Sequence, residues 1–247
     1  MQQRQERRDV AEELTRARRK RRIFWWGGAA CALALLVVAV VRVAGRTDIP
    51  AQLGAVGAVM ADEWIKGNPT ASATLIEYSD FQCPACRAYA PLVKQLGEEF
   101  GGNLRIVYRH FPLRRTHANA DIAGRAAEAA GLQSAFWTMY DMLFERQDAW
   151  ANIRDAEDVF TQYAAELGLD AAQFRRDIAS DAVAARVEED LRSGLAAGIN
   201  ATPTFFLNGE RMQNPRDYAS FSAAVREAIT ASSAVMPNTA EHVSDGT

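Results

Sequence analysis

Two cysteines separated by two residues, Cys83 and Cys86, form the motif in this chain that is best suited to chemistry. A strand-like run, residues 74–79, ends just before them, and apolar residues at helical spacing follow them. This order places Cys83 at a helix N-cap and Pro84 at the first helical position, where a missing N–H costs nothing. The unpaired N–H groups and the positive end of the helix dipole favour a thiolate at Cys83. Cys86, one turn later, could close a disulfide or resolve a mixed one, which predicts a thiol–disulfide exchange site.

Charge is distributed unevenly along the 247 residues. Residues 1–22 carry nine Lys/Arg against four Asp/Glu, whereas residues 47–247 carry 17 basic and 27 acidic side chains. A domain with this acidic balance and without a basic stripe is poorly suited to bind nucleic acid. The basic cluster stands directly before an apolar run, so we interpret it as a membrane topology signal.

Residues 23–41 are an uncharged run of 19 residues, about the length that crosses a bilayer as a helix. Trp25 and Trp26 stand near its start, where interfacial aromatic residues are common. The positive-inside rule puts the N-terminus in the cytoplasm and the catalytic domain on the extracytoplasmic side, periplasmic or outer. A cleaved signal peptide is the alternative, but secretory apolar cores are shorter, at roughly 7–15 residues. We therefore expect an uncleaved single-pass signal anchor in the cell membrane and a domain in an oxidising compartment.

The sequence divides into five parts: a cytoplasmic tail (1–22), an anchor (23–41), a linker (42–59), a globular domain (60–232) and a disordered tail (233–247). In the domain, strand patterns at residues 73–78 and 104–111 flank the cysteine-bearing helix and predict a parallel βαβ unit. Residues 117–197 lack strand patterns and predict at least four helices, at 122–130, 136–144, 159–167 and 174–178, with a further one near 182–195. A strand at 204–207 followed by Asn208-Gly209 predicts a hairpin with a partner strand at 211–212, and a final helix is expected at 218–229. This alternation indicates the α/β class.

Taken together, these motifs resemble the DsbA-type thioredoxin-fold oxidoreductases. The resemblance covers residues 60–232 and rests on the Cys83-Pro84-Ala85-Cys86 motif, the long helical stretch and the Thr202-Pro203 pair before a strand. It implies a thioredoxin fold with a large helical insertion at about residues 117–197, here preceded by one N-terminal transmembrane helix. It also implies a cis bond before Pro203 and pairing of the Thr202 backbone with an extended substrate. No cofactor is implied beyond the redox-active disulfide Cys83–Cys86.

Glu77 lies six residues before Cys83, where this family carries a buried acid beneath the active site. Burial would raise the pKa of Glu77, and the carboxylate would then accept a proton from Cys86. A solvent-facing strand acid is the alternative interpretation. His110 and His117 could complete a zinc site with the two cysteines, but cysteines that readily form a disulfide are unreliable metal ligands. We therefore expect structural roles for both histidines and no metal.

The predicted reaction is donation of the disulfide to unfolded or thiol-containing exported proteins, through a mixed disulfide at Cys83. By analogy with the family, reoxidation requires a membrane redox partner of the DsbB or vitamin K epoxide reductase type. Ala85 stands where the strong oxidants of the family carry a histidine, which predicts a milder oxidant. A disulfide reductase of the same fold is the enzymatic alternative. A tethered peptide-binding or chaperone module with an incidental dithiol is the alternative from another class.

Overall fold

The computed structural model describes residues 58–60 and 62–235, with side chains as far as residue 233. The expected cytoplasmic tail, the expected anchor at residues 23–41 and most of the expected linker therefore lie outside the described residues. Within the described ranges, no helix combines the length and apolar character needed to cross a membrane.

The centre of the domain is a five-stranded sheet with the order β1-β3-β2-β4-β5. Its strands are β1 (Trp64–Gly67), β2 (Ala73–Ser79), β3 (Leu104–His110), β4 (Thr204–Leu207) and β5 (Glu210–Arg211). The β2 and β3 strands are parallel, as the sequence predicted, whereas β1 pairs with β3 and β4 pairs with β2 in the antiparallel sense. All seven residues of β2 are buried, because this strand is central and is covered on both faces.

Eight helices accompany the sheet in the described part of the chain. They are α1 (Pro84–Phe100), α2 (Ala120–Gly131), α3 (Phe136–Glu145), α4 (Gln147–Trp150), α5 (Glu157–Glu166), α6 (Ala171–Ile178), α7 (Asp181–Ala196) and α8 (Tyr218–Val235). Six of them, α2 to α7, lie between β3 and β4, which confirms the predicted helical insertion. The sequence did not predict α4, because four residues form a single turn and leave no periodic pattern.

Helix α1 covers one face of the sheet through apolar residues at helical spacing. Its buried positions are Cys86, Ala90, Val93, Leu96 and Phe100, and the helix continues through Pro91. Val93, Leu96 and Phe100 pack with residues of β2, β3, β4 and α8, among them Leu75, Ile106, Phe205 and Phe221. Odd-numbered β2 residues share the face of Leu75, because side chains alternate along a strand. Glu77 and Ser79 therefore lie on the same face of the sheet as Leu75.

Local sequence signals account for several boundaries. Asp170 caps α6 by accepting hydrogen bonds from the N–H groups of Ala172 and Gln173, both at 2.9 Å. Asn208 and Gly209 have φ values of 50° and 85°, the left-handed conformation that a tight two-residue hairpin requires. The predicted hairpin is confirmed, and its second strand begins at Glu210, one residue earlier than the pattern indicated.

The last helix is longer than the sequence indicated. Residues 233–247 were expected to be disordered, yet α8 continues to Val235, and the residues beyond it lie outside the described part. Hydroxyl groups in this stretch bond back to the helix, from Thr230 to the Arg226 carbonyl and from Ser233 to the Ile229 carbonyl, both at 2.9 Å. The polar composition that suggested disorder is thus compatible with a helix, since these hydroxyl groups donate their hydrogen bonds to carbonyls of the same helix.

Candidate active site

The reactive sulfur lies where β2 gives way to α1. Cys83 is the N-cap of α1, with extended backbone angles (φ −71°, ψ 122°), and Pro84 opens the helix. This arrangement confirms the position predicted from the motif. Cys83 is 7% exposed and Cys86 is fully buried, whereas Pro84 and Ala85 between them are exposed. Cys83 is therefore the sulfur that an incoming thiolate or disulfide can reach.

The surroundings of Cys83 favour its ionised form. A hydrogen bond from the Cys86 thiol is the largest of several effects that lower the pKa of Cys83 to about 5. Burial opposes this shift, while the Thr202 side chain and the backbone N–H groups of Cys86 and Ala85 add to it. The pKa of about 5 means that Cys83 is a thiolate at neutral pH, which is the nucleophilic form.

The second sulfur has the opposite tendency. Burial, followed by the neighbouring Cys83, raises the pKa of Cys86 well above the ordinary thiol value. Both residues are free cysteines in this structure, which is thus the dithiol form. The pair consists of an accessible thiolate and an inaccessible protonated thiol, the asymmetry that a stepwise exchange through one sulfur needs.

The Thr202-Pro203 pair lies beside the dithiol. The peptide bond between them is cis, which confirms the expectation from the family resemblance. The Thr202 carbonyl oxygen is 3.6 Å from the Cys83 sulfur. Asn214 holds the loop by donating a hydrogen bond to the Pro203 carbonyl at 2.9 Å. Capture of an extended substrate by the Thr202 backbone stays a prediction.

Glu77 is 1% exposed, so the solvent-facing interpretation of this acid is wrong. The Tyr140 hydroxyl donates to its Oε2 at 3.4 Å, while Oε1 has no hydrogen-bond partner within the described part of the chain. Burial raises the pKa of Glu77 to about 7, as the sequence argument expected. A carboxyl that titrates near neutral pH can both give and take a proton under working conditions.

Both histidines have carboxylate partners away from the sulfurs. His110 Nε2 lies 2.8 Å from Glu128 Oε1, and His117 Nδ1 lies 2.7 Å from Asp80 Oδ2. These contacts agree with the structural roles expected for them. Across residues 58–60 and 62–235, no cluster of three or more His, Cys, Asp or Glu side chains is arranged to hold a metal ion.

One residue that shapes the active-site loop has no signal in the sequence. Gln147 donates hydrogen bonds to the carbonyls of Phe81 at 2.7 Å and Cys83 at 3.1 Å. It is 64 residues from Cys83 along the chain and belongs to the helix that periodicity did not reveal. Asp80 was easier to anticipate, because its Oδ1 accepts from the Gln82 N–H at 2.8 Å in a local Asx turn.

Comparison with protein families gives a match over most of this domain. A family model described as thioredoxin matches residues 60–227. Curated relatives include the Na(+)/H(+) antiporter NhaA 1 of Mycolicibacterium gilvum, 41% identical over 165 residues. That match covers 65% of this chain and 26% of the relative. NhaA of Herminiimonas arsenicoxydans is 42% identical over 161 residues, and the match covers 25% of it. The chain thus spans about a quarter of the length of these relatives.

Solved structures share the fold at low sequence identity. Wolbachia pipientis alpha-DsbA1 is 19% identical with a TM-score of 0.64, over 71% of this chain and 95% of that one. BdbD from Bacillus subtilis is 19% identical with a TM-score of 0.62, over 68% of this chain and 93% of that one. Pseudomonas aeruginosa DsbA2 is 21% identical with a TM-score of 0.55, over 69% and 96% of the two chains.

Proposed function

The chain belongs to the thioredoxin family and is a DsbA-like thiol–disulfide oxidoreductase, and from this premise we propose that it donates its Cys83–Cys86 disulfide to exported proteins. The observation that carries the proposed direction is the pKa of Cys83, lowered to about 5 chiefly by the Cys86 hydrogen bond. A stabilised thiolate lowers the free energy of the reduced form, and this makes the disulfide easier to break and the protein more oxidising. Thiolate pKa values in such folds run from about 7 in thioredoxin to about 3.5 in DsbA. A pKa of about 5 favours an oxidant of intermediate strength.

In the proposed reaction, a client thiolate attacks Cys83 Sγ and the Cys83–Cys86 bond breaks, so that its electron pair goes to Cys86. A second client thiol, as thiolate, then attacks the client sulfur of the mixed disulfide. The client leaves with a new disulfide, and Cys83 leaves as the stabilised thiolate. Glu77 supplies the proton that Cys86 takes up, and in the reverse direction accepts it. The Thr202 backbone, held by the cis bond to Pro203, binds the client in extended form.

The test is the reduction potential of Cys83/Cys86, measured in glutathione buffers. We expect a value between about −180 and −120 mV, the range from protein disulfide isomerase to DsbA. A value near −270 mV, that of thioredoxin, would instead make the protein a disulfide reductase. Two results together would favour the chaperone alternative. The Cys83→Ser variant would prevent client aggregation as well as the parent chain does, and the parent chain would not react with thiols.

We also propose that residues 23–41 anchor the chain in the cell membrane with the dithiol domain on the extracytoplasmic side. The nine Lys/Arg side chains of residues 1–22, against Arg42 and Arg46 just after the apolar run, support this orientation. The expected results are retention in the membrane fraction under alkaline extraction and digestion of the domain by protease added outside spheroplasts. Recovery of the intact chain in the soluble fraction would refute the anchor. In the anchored protein, reoxidation of the Cys83/Cys86 dithiol depends on a membrane partner of the DsbB or vitamin K epoxide reductase type. A Cys86→Ala variant should trap this partner as a mixed disulfide with Cys83.

The antiporter names of the curated relatives do not alter this proposal. The matched length of 165 residues is close to the length of the domain at residues 60–227. About three quarters of each such relative has no counterpart in this chain. We therefore propose thiol chemistry, and not cation transport, for the matched domain.

A further inference from the structure

Three polar atoms on two adjacent strands are buried without a hydrogen-bond partner in the described part of the chain: Glu77 Oε1, Ser79 Oγ and Tyr108 OH. Glu77 and Ser79 are two residues apart on β2 and therefore face the same way. Tyr108 lies opposite Glu77 in the parallel register of β2 and β3. Buried polar atoms are nearly always paired, so three unpaired ones in one place call for an explanation in terms of function.

Ser79 interacts with the two titrating groups of this site. Burial raises the pKa of Glu77 and of Cys86, and in both cases the Ser79 hydroxyl opposes the rise. The packing agrees with this: Cys86 lies in one buried cluster with Tyr108 and Tyr140, and of these Tyr108 is opposite Glu77 and Tyr140 donates to it. No hydrogen bond of normal geometry to the Ser79 hydroxyl is closed in this dithiol form. A serine hydroxyl can donate one hydrogen bond while it accepts another, which neither an ionised carboxylate nor a thiolate can do.

We propose that the Ser79 hydroxyl conducts the proton between Glu77 and Cys86 during disulfide exchange. The inference rests on the proposed function and adds a residue to it. When the Cys83–Cys86 bond breaks, Cys86 receives the electron pair and takes the proton of Ser79 Oγ, while Ser79 takes the proton of Glu77. When Cys86 attacks a mixed disulfide at Cys83, the same protons move in reverse and the client leaves as a thiolate. No proton is gained or lost within the relay itself.

Other groups around this path keep a fixed protonation state or point elsewhere. The groups that face it are Cys83 at the N-cap of α1, Tyr108 on β3, Tyr140 and Asp141 on α3, and Asp80 in the loop after β2. Burial raises the pKa of both tyrosines well above the ordinary phenol value, so their hydroxyls stay protonated. Asp141 lies 3.5 Å from Lys94, and Asp80 accepts from His117 at 2.7 Å. Glu77 is thus the carboxyl on this path whose charge changes near pH 7.

The test compares two nearly isosteric variants, Ser79→Thr and Ser79→Val, of which only the first keeps a hydroxyl. Reduced full-length protein is mixed with glutathione disulfide in a quenched-flow apparatus between pH 5.5 and 8.5. Mass spectrometry follows the Cys83–glutathione adduct as it forms and as Cys86 resolves it. We expect resolution to slow about 10–100-fold in Ser79→Val, because positioned proton transfer is worth about that much or more. Ser79→Thr is expected to resolve the adduct near the rate of the unsubstituted chain and to keep an inflection near pH 7.

Formation of the adduct is the internal control, because Cys83 is activated by Cys86, Thr202 and backbone N–H groups and not by Ser79. Ser193→Ala removes a hydroxyl that bonds Tyr78 at 2.9 Å, and it should leave both rates unchanged. Equal resolution rates in Ser79→Val and Ser79→Thr would overturn the proposal, as would slowing in Tyr108→Phe alone. Failure of the unsubstituted chain to form the adduct would instead contradict the proposed oxidoreductase function, so the two failures are distinguishable.

Discussion

The hydroxyl of Thr202 is expected to add to the acidity of Cys83 that the Cys86 thiol chiefly provides, and Thr202→Val is the substitution that tests this. As a thiol, Cys83 can donate to the Thr202 carbonyl, 3.6 Å away. As a thiolate it has no proton to donate and becomes an acceptor. Thr202 Oγ1 is buried, has no other partner among the described residues, and lowers the pKa of Cys83. Valine removes this donor and keeps the shape of the side chain.

The expected size of the effect follows from the energy of a charge-assisted hydrogen bond. Such a bond contributes about 1.5–3 kcal/mol, so its loss should raise the pKa of Cys83 by roughly 1–2 units. The pKa of Cys83 in the parent chain is about 5, so nearly all of the Cys83 side chain is ionised at pH 7. Because the reduced form loses the stabilisation, the reduction potential should fall by about 30–60 mV, at about 30 mV per 1.4 kcal/mol.

The pKa of Cys83 can be read from thiolate absorbance at 240 nm across a pH titration, and independently from the pH dependence of its alkylation rate. Thr204→Val is the matched control. It removes a hydroxyl two residues away that bonds the Ala201 carbonyl at 2.8 Å, and it should leave the pKa of Cys83 unchanged. If Thr202→Val titrates like the parent chain, the backbone N–H groups and Cys86 alone hold the thiolate and the assignment to Thr202 is wrong.

Three further substitutions test burial and packing. Glu77 has a folded-state pKa of about 7, above its unfolded value, so its ionisation destabilises the fold as pH rises from 4.5 to 7. Glu77→Gln should therefore raise the free energy of unfolding at pH 8 by up to about 3 kcal/mol, and the Tm with it, and should change both little at pH 4.5. Gly194→Ala would put a Cβ 2.6 Å from the Phe111 ring and should cost about 1–3 kcal/mol in urea unfolding. Gln147→Leu removes the donor to the Cys83 carbonyl and should speed amide hydrogen exchange in residues 81–83.

The βαβ unit could be predicted because its signals are local and agree with one another. A buried strand run, a proline after the first cysteine and helical spacing after it identify β2 and α1 without any tertiary information. The end of α8 could not be predicted in this way. Its last turns are rich in hydroxyl side chains, a composition typical of disordered segments, and only the structure shows that they are helical.

The site residues also divide into those that the sequence identified and those that only the structure identified. Cys83 and Cys86 carry their chemistry in their spacing, and the cis bond before Pro203 came from the family resemblance. The alternation of a strand left the orientation of Glu77 open, because either face can be buried when both are covered. Ser79 had no signal, since a serine at the end of a strand is common and only its burial, on the same face as Glu77 and without a hydrogen-bond partner among the described residues, makes it distinctive.

The opposed tendencies of the two sulfurs follow from one structural feature, the turn from β2 into α1. Helix α1 begins after a short loop that follows the buried strand β2, so its N-cap residue Cys83 meets the free N–H groups of the first turn, while Cys86, one turn later, is fully buried. Cys83 is stabilised as a thiolate chiefly by the Cys86 thiol, and further by Thr202 and the backbone N–H groups of the first turn, without any charged side chain in the motif. Cys86, on the inward face of the same turn, interacts with Ser79 and is kept protonated chiefly by burial. A histidine at position 85 would therefore adjust a pKa difference that the hydrogen bond between the two sulfurs and the burial of Cys86 have already established.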